Sequence, residues 1–380
     1  MKPTKIVMLV SNPYRPDPRV QKEAQCLRQA GYDVTIICWD RANEFPEKEI
    51  IQGIDLYRIK INSQYHAGNR QLFFLPRFWI AAIQRLKNLE PDIIHCHDLD
   101  TTFAGAFFAY WHKIPWIFDA HECYPEQISS QVNRLIYYFL KWFERYMAKK
   151  SDQVITVGEI LAKHFSSFSS RVTVVGNYPE LDAFKVTQTE ISREKLGIPE
   201  HTIVVSYIGG FTQARSILPL IYTVDIDEEV TILIAGDGIQ RSKIEAEIKS
   251  RERITYLGWI KQEQVPAYTV LSDIIYYGLN KKDGNSQYSA PNTLFNSMAA
   301  GKPILTTDVG EIATIVKTEN CGVVIPDATP DYILWGINQL RDQTVRRNLG
   351  DNGKKAALEK YTWKKAQQGL IQVYASLLNR

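Results

Sequence analysis

Two short runs set histidines beside carboxylates. His95-Cys96-His97-Asp98 and Asp119-Ala120-His121-Glu122 each close an apolar stretch that reads as a buried strand. Alternate residues of a strand face opposite ways, so His95 and His97 share one face and His121 belongs to a neighbouring strand end. Three histidines with carboxylates form a zinc ligand set on paper, but the sequence has no H-E-x-x-H spacing and no cysteine pair, and no metal is expected. Two readings stay open. The histidines are satisfied within a core or its rim, or they form a polar strand end over a cleft. In the second, His121 hydrogen-bonds a sugar hydroxyl or a phosphate.

Other loops after apolar runs carry residues suited to anions. Asn12 to Arg19 leads into a helix start, where free N–H groups and partial positive charge favour an anion, and Arg15 and Arg19 add two guanidiniums. The alternative is a surface loop whose Asp17 only caps the helix. Gly209-Gly210 follows another apolar run and lets a ligand approach the backbone closely. Arg215, near the next helix start, suits bidentate pairing with phosphate. Pro291 reads as the first residue of a helix running to Ala300, with Gly301 as its stop, and that helix start points at an inter-domain cleft. Turn chemistry is the alternative for each. There is no Walker A sequence and no G-x-G-x-x-G, so ordinary kinases and dehydrogenases lack their signature.

The elements that must position these groups alternate. KIVMLVS, DVTIICW, IDLYRIKI, PDIIHCHD, PWIFDAHE, DQVITVG and RVTVVGN read as strands, with helices at Val20–Ala30, 76–89, 100–113 and roughly 130–150 among them. Strands separated by helices give a parallel sheet covered on both faces. Residues 177–199 are polar and read as a connection. The alternation then restarts with TIVVSYIGG, TILIAGDG, ITYLGW, DIIYYGL, PILTTD and GVVIP. The final segment is an amphipathic helix whose Trp363, Leu370, Ile371, Tyr374, Leu377 and Leu378 can form a buried stripe. That helix, over about 362–379, is expected to cross back to the first domain.

Composition bounds the function. At 380 residues, two domains is the expected count. The formal charge of +3 is too mild to argue for nucleic acid, and no nucleic acid partner is expected. The excess sits entirely in residues 1–180, which hold 22 basic and 19 acidic side chains. Cysteines 26, 38, 96, 123 and 321 fit a reducing compartment. The five or six apolar residues before Ser11 read as a strand, not a signal peptide, and no run of 18 apolar residues would span a membrane.

Taken in order, these pieces resemble the family 4 retaining glycosyltransferases of the GT-B fold over nearly the full length. The carriers are the opening KIVMLVSNPYRPDPRVQKEAQCLRQAGYDVTIIC, the two histidine runs, VITVGEILAKHF, YIGGF with Arg215, ILIAGDG, NTLFNSMAAGKPIL and the closing YTW…VYASLL. The resemblance implies an α/β protein with two doubly wound, Rossmann-like domains facing across a cleft. Residues 1–182 with 362–380 would bind the acceptor and 183–361 the nucleotide sugar. It makes His121 the catalytic histidine. It assigns donor binding to Gly209, Gly210, Arg215, Trp259, Tyr288, Asn292, Thr293 and Asn296. Arg15, Arg19, His97 and Glu122 would lie on the acceptor or diphosphate side. No cofactor is implied beyond the donor substrate, because basic side chains and helix dipoles stabilise the leaving diphosphate. The sequence departs from the family at the E-x7-E motif, where Tyr288 and Asn296 replace the glutamates.

The expected activity is metal-independent, retaining transfer of a sugar from a nucleotide-diphosphate sugar to a glycan or lipid-linked acceptor, in cell-surface polysaccharide or glycoconjugate synthesis. The rival is a catalytically silent GT-B partner or nucleotide-sugar-binding protein. Residues 70–87 and 134–150 are basic and aromatic together, the composition of helices that lie on anionic membrane surfaces; the alternative is a core stripe with a solvated basic face. The expected location is cytoplasmic, peripheral to the inner face of the cell membrane if those helices dock.

Overall fold

The computed structural model describes residues 3–15, 17–63, 71–185 and 191–378. Pro16 of the first loop, Arg70 of the first basic-aromatic segment, residues 186–190 of the polar connection and 379–380 of the final helix lie outside them. The chain forms two compact units, Met1–Asn177 with Ala366–Arg380, and Tyr178–Lys365. The division falls before Tyr178 because that ring packs on Phe295 and Tyr361 of the second unit.

The first unit is built on eight strands: β1 (Lys5–Val10), β2 (Asp33–Asp40), β3 (Lys48–Ile51), β4 (Ile54–Lys60), β5 (Ile93–His97), β6 (Trp116–Ala120), β7 (Gln153–Thr156) and β8 (Val172–Val174). Their order in the sheet is β3-β4-β2-β1-β5-β6-β7-β8. All neighbours are parallel except β3, which pairs antiparallel with β4. This corrects the expectation of a wholly parallel sheet. Lys48–Ile51 is short and alternates half-buried with exposed residues, so its sequence carries no apolar run. Strands β5 and β6 are buried from end to end, and β1 everywhere past Lys5, as strands covered on both faces must be. The order reverses between β1 and β5, and at such a switch point the loops beyond the strand ends part to leave a crevice.

The helix after β1 spans Pro18–Gln29. Asp17 caps it by accepting from the Val20 amide, and Gly31, at φ +94°, ends it. The helix Gln71–Leu89 starts five residues before the expected 76 and carries Pro76 inside it. The final helix, Trp363–Leu378, delivers its last thirteen residues to the first unit. Its buried stripe is Ala366, Leu370, Val373, Tyr374 and Leu377. Leu378, expected in that stripe, is 45% exposed, because it ends the helix one turn past Tyr374, at the edge of the stripe.

The second unit has six parallel strands in the order β11-β10-β9-β12-β13-β14. These are β9 (Ile203–Ile208), β10 (Val230–Ala235), β11 (Ile254–Tyr256), β12 (Ile274–Tyr277), β13 (Ile304–Thr307) and β14 (Gly322–Ile325). Its switch point lies between β9 and β12. The helix expected from Pro291 runs Asn292–Ala300. Pro291 is its N-cap, not its first turn, because its ψ of 142° is extended. Gly301 at φ +68° ends it as expected. Among the described residues, no helix is long and apolar enough to cross a membrane.

Candidate active site

In the first unit the carboxyl ends of β5 and β6 build one buried polar cluster with Asp119 at its centre. Arg19 reaches in from the helix Pro18–Gln29. Its Nη2 donates to both Asp119 oxygens, at 3.0 and 3.1 Å, and lies 3.0 Å from Glu23 one turn further along. Its Nη1 donates to the Val175 carbonyl at 2.8 Å. The rings of His95 and His97 stack 4.2 Å apart on one face of β5, as alternation requires. His95 Nδ1 sits 2.6 Å from the Tyr374 hydroxyl, which ties the final helix to the sheet.

His121 is held from both sides. Its Nε2 lies 3.1 Å from His97 Nδ1 and 3.3 Å from Asp119 Oδ2, and its Nδ1 lies 3.5 Å from Asp98. Burial alone would strip its proton, but Asp98 and Asp119 outweigh that and raise its pKa to about 10. His121 is therefore an imidazolium near neutral pH. His95 lies 3.4 Å from Asp119 and 4.0 Å from Glu23, and His97 lies 3.4 Å from Asp119, but for these two rings burial outweighs the carboxylates and holds both below the usual histidine range. Burial would also raise Asp119, but Arg19 and His121 keep it well below the usual carboxylate range. Glu23, with Arg19 as its main cationic neighbour, is raised by burial to about 8.

Asp98 holds this geometry at a cost. Its φ of +61° with ψ of 163° is a region that residues with a Cβ rarely enter, a strain of order 1–3 kcal/mol. In that conformation its amide donates to the Asp119 carbonyl at 2.8 Å and its Oδ1 accepts from the His121 amide at 3.1 Å. Strain at a strand end that orients a charged ring is the mark of a site selected for geometry over stability.

Glu23, His95, His97 and Asp119 also place donor atoms within 4.8 Å of one another. Arg19, however, already supplies the positive charge that this set would draw from an ion. Arg15 does not join Arg19. Its guanidinium pairs with Glu49 and lies over the Phe45 ring, while Arg19 turns inward. The first loop thus does not converge two guanidiniums on one anion. Glu122 is half-buried directly after His121.

In the second unit the expected residues gather at the ends of β9 and β12. Gly209 and Gly210 follow β9 directly. Thr293 Oγ1 donates to the Ile208 carbonyl at 3.0 Å, fastening the start of the helix Asn292–Ala300 beside that turn. The backbone of Arg215 bridges to Leu279 just past β12, and its guanidinium lies 4.8 Å from the Tyr277 ring centre. Asn292 is exposed, and Asn296, one turn in, is half-buried. Tyr288 ends the short turn Gly284–Tyr288. Trp259 stands apart: it follows the edge strand β11 and is 66% exposed. Gly236, at φ +149°, leaves no room for a side chain, since a Cβ there would lie 1.9 Å from the Gly209 carbonyl oxygen.

Comparison with known proteins decides the family. The model for Glycosyltransferase Family 4 matches residues 19–181, and that for Glycosyl transferases group 1 matches residues 188–356. The chain is a glycosyltransferase of family 4. It is 26% identical over 376 residues to an uncharacterized glycosyltransferase of Methanocaldococcus jannaschii, covering 92% of this chain and 91% of that one. A Bacillus subtilis glycosyltransferase named for teichuronic acid biosynthesis is 25% identical, over 78% of this chain and 77% of its own. Sucrose-phosphate synthase of Thermosynechococcus elongatus has the same fold, with a TM-score of 0.83, 17% identity and 99% of each chain covered. Anabaena HepE, solved with UDP-glucose, superposes with a TM-score of 0.77 at 14% identity, over 98% of this chain and 99% of that one. The family 4 chain thus has the GT-B fold. Sequence reasoning named His121, His97 and Arg19 as site residues; it quoted Asp119 beside His121 and Tyr374 in the final helix without giving either a place at the site, and it passed over Glu23. The four-residue spacing of Arg19 and Glu23 was the available signal for Glu23.

Proposed function

We propose that this glycosyltransferase moves a sugar from a nucleotide-diphosphate sugar to a glycan or lipid-linked acceptor, with retention and without a metal ion, in the synthesis of a cell-surface polysaccharide or glycoconjugate. The second unit binds the donor and the first unit the acceptor. The observation that carries the reading is the fixed imidazolium of His121, clamped by two carboxylates at the end of β6, one strand from the switch point of its sheet. Both ring nitrogens are engaged within the protein, so His121 acts as a preset positive charge toward a developing anion rather than as a proton shuttle. On the donor side, Arg215 and the start of the helix Asn292–Ala300 supply charge and N–H groups for a diphosphate. Asn296 offers both a donor and an acceptor to the ribose.

Three helices support a peripheral membrane location. On Gln71–Leu89, Leu99–His112 and Arg134–Lys150 the two acids, Asp100 and Glu144, are buried, while Leu135, Tyr110 and Trp111 stand 83, 79 and 68% exposed beside basic residues. Calorimetry with UDP, GDP and their sugars, followed by a donor hydrolysis assay, tests the function. Binding with slow hydrolysis is expected, and Arg215→Ala weakens diphosphate binding by about 1.5–3 kcal/mol while changing nucleoside binding much less. A second reading, a catalytically silent nucleotide-sugar-binding protein, is favoured by Tyr288 and Asn296 at the motif positions. Binding without hydrolysis or transfer would establish it.

A further inference from the structure

We propose that the first unit holds one hydrocarbon chain of a lipid-linked acceptor in an apolar pocket framed by the helices Gln71–Leu89, Leu99–His112 and Arg134–Lys150. This rests on the glycosyl-transfer reading for the identity of the acceptor and adds the subsite that would select it. The pocket has a volume of about 420 Å³, within the range of small-molecule sites. Leu75, Leu99, Leu140 and Met147, all buried, form its floor. Phe139 and Trp142 line its rim and remain more than half exposed. A pocket this apolar, ringed by exposed aromatic rings, is a surface that water covers poorly and that marks an interaction site.

Charge selects the occupant. The exposed ionisable side chains on the framing helices are basic, Arg77, Lys141, Arg145 and Lys149 among them, and both acids of these helices are buried. A partner protein would need an acidic rim around an apolar plug. An anionic membrane presents a negative surface with hydrocarbon directly behind it, which matches a basic surround with an apolar hole at its centre. Among the described residues, one carboxylate lines the pocket. Asp100 is buried, and its Oδ1 has no hydrogen-bond partner among the described residues. Burial and the neighbouring Asp98 raise its carboxyl to about 6, so near neutral pH it is mostly ionised and accepts hydrogen bonds. Asp100 lies two residues beyond Asp98, which holds His121, and Tyr124, three residues beyond His121, lines the pocket too. Leu99 and Tyr124 thus join the pocket to the two segments that carry the histidine cluster.

The test uses the full chain and vesicles of phosphatidylcholine and phosphatidylglycerol, with a trace of phosphatidylglycerol carrying a diazirine near the end of one acyl chain. After irradiation, labelled residues are mapped by mass spectrometry. Label on Leu99, Leu140 or Met147 is expected. Leu140→Trp, which fills the floor, should cut that label about tenfold while vesicle co-sedimentation changes less than about twofold. Met147→Trp is the second filling variant, and melting confirms that each one folds. Label confined to exposed Tyr110, Trp111 and Tyr138 would overturn the proposal, because the face would then only rest on the membrane. So would floor label untouched by both variants, or no binding to these vesicles. UDP binding is measured on the same preparations. Intact UDP binding without floor label refutes the pocket alone, and floor label without binding of any nucleotide sugar refutes the donor reading alone.

Discussion

Replacing Asp119 by Asn asks whether one carboxylate organises the first unit's polar core. The substitution keeps the side-chain shape and one acceptor oxygen but removes the charge on which Arg19 and His121 converge. Removing one partner of a buried ion pair costs about 3–5 kcal/mol. Glu23 moderates the loss here. It lies 3.0 Å from Arg19 and is held neutral up to about pH 8, partly by the Asp119 charge itself. Once that charge is gone Glu23 ionises more readily and takes over part of the compensation. The expected loss is therefore near the bottom of the range, about 3 kcal/mol. Because the chain has two units, a global unfolding curve would blend them. Amide hydrogen exchange read by mass spectrometry separates them, and exchange in β1, β5 and β6 should accelerate about a hundredfold while β9 and β12 stay unchanged. In the same variant the His121 resonance, followed by NMR, should titrate well below the wild-type value of about 10. Acceleration of less than about fivefold, with His121 still titrating near 10, would refute the view that Asp119 is the hub.

Stability should also respond to pH. The raised His121 pKa contributes stability that is fully present below about 6.5, its ordinary value, and is lost as pH rises through about 10; Glu23, raised to about 8, acts with the same sign between about 4.5 and 8. The melting temperature of the first unit should therefore fall from pH 7 to 10, and less steeply in His121→Gln. Gly236→Ala should destabilise the second unit by about 2–4 kcal/mol, because its Cβ would meet the Gly209 carbonyl oxygen and φ is +149°; exchange confined to β9 and β10 would show it. Tyr374→Phe removes the hydroxyl 2.6 Å from buried His95 and should cost about 1–3 kcal/mol, measured as faster exchange in β5.

The doubly wound architecture was legible because buried parallel strands leave unbroken apolar runs, as in KIVMLVS and TILIAGDG. Lys48–Ile51 escaped because an edge strand buries only alternate residues and leaves no such run. Histidine placement followed from strand alternation, so the stacking of His95 on His97 could be anticipated. The charge states could not, since they depend on which carboxylates fold brings within 4 Å. Asp119 is a strand residue like its neighbours until Arg19, a hundred positions earlier, is turned inward against it. Likewise Arg15 and Arg19 read as equals in the sequence, and only packing separates a surface pair with Glu49 from a buried one with Asp119. The final helix showed its amphipathic face, and the choice of Val373 over Leu378 for burial was a matter of a few tens of degrees about its axis.

The final helix gives the chain an order of assembly. During synthesis β1 to β8 emerge first, followed by the whole second unit, before Tyr374 leaves the ribosome. Until then His95 has no Tyr374 hydroxyl at its Nδ1, and the place of the residues 366–378 on the first unit stands open. The second unit is continuous in sequence and can close as soon as it is made, whereas the first must wait for residues 366–378, against the usual rule that N-terminal domains finish first. A nonsense mutation or proteolytic cut shortly before Ala366 would therefore injure the polar cluster at the far end of the sequence and spare the strands nearer the break. Quality control acting on nascent chains would meet this protein with its N-terminal half still unsealed.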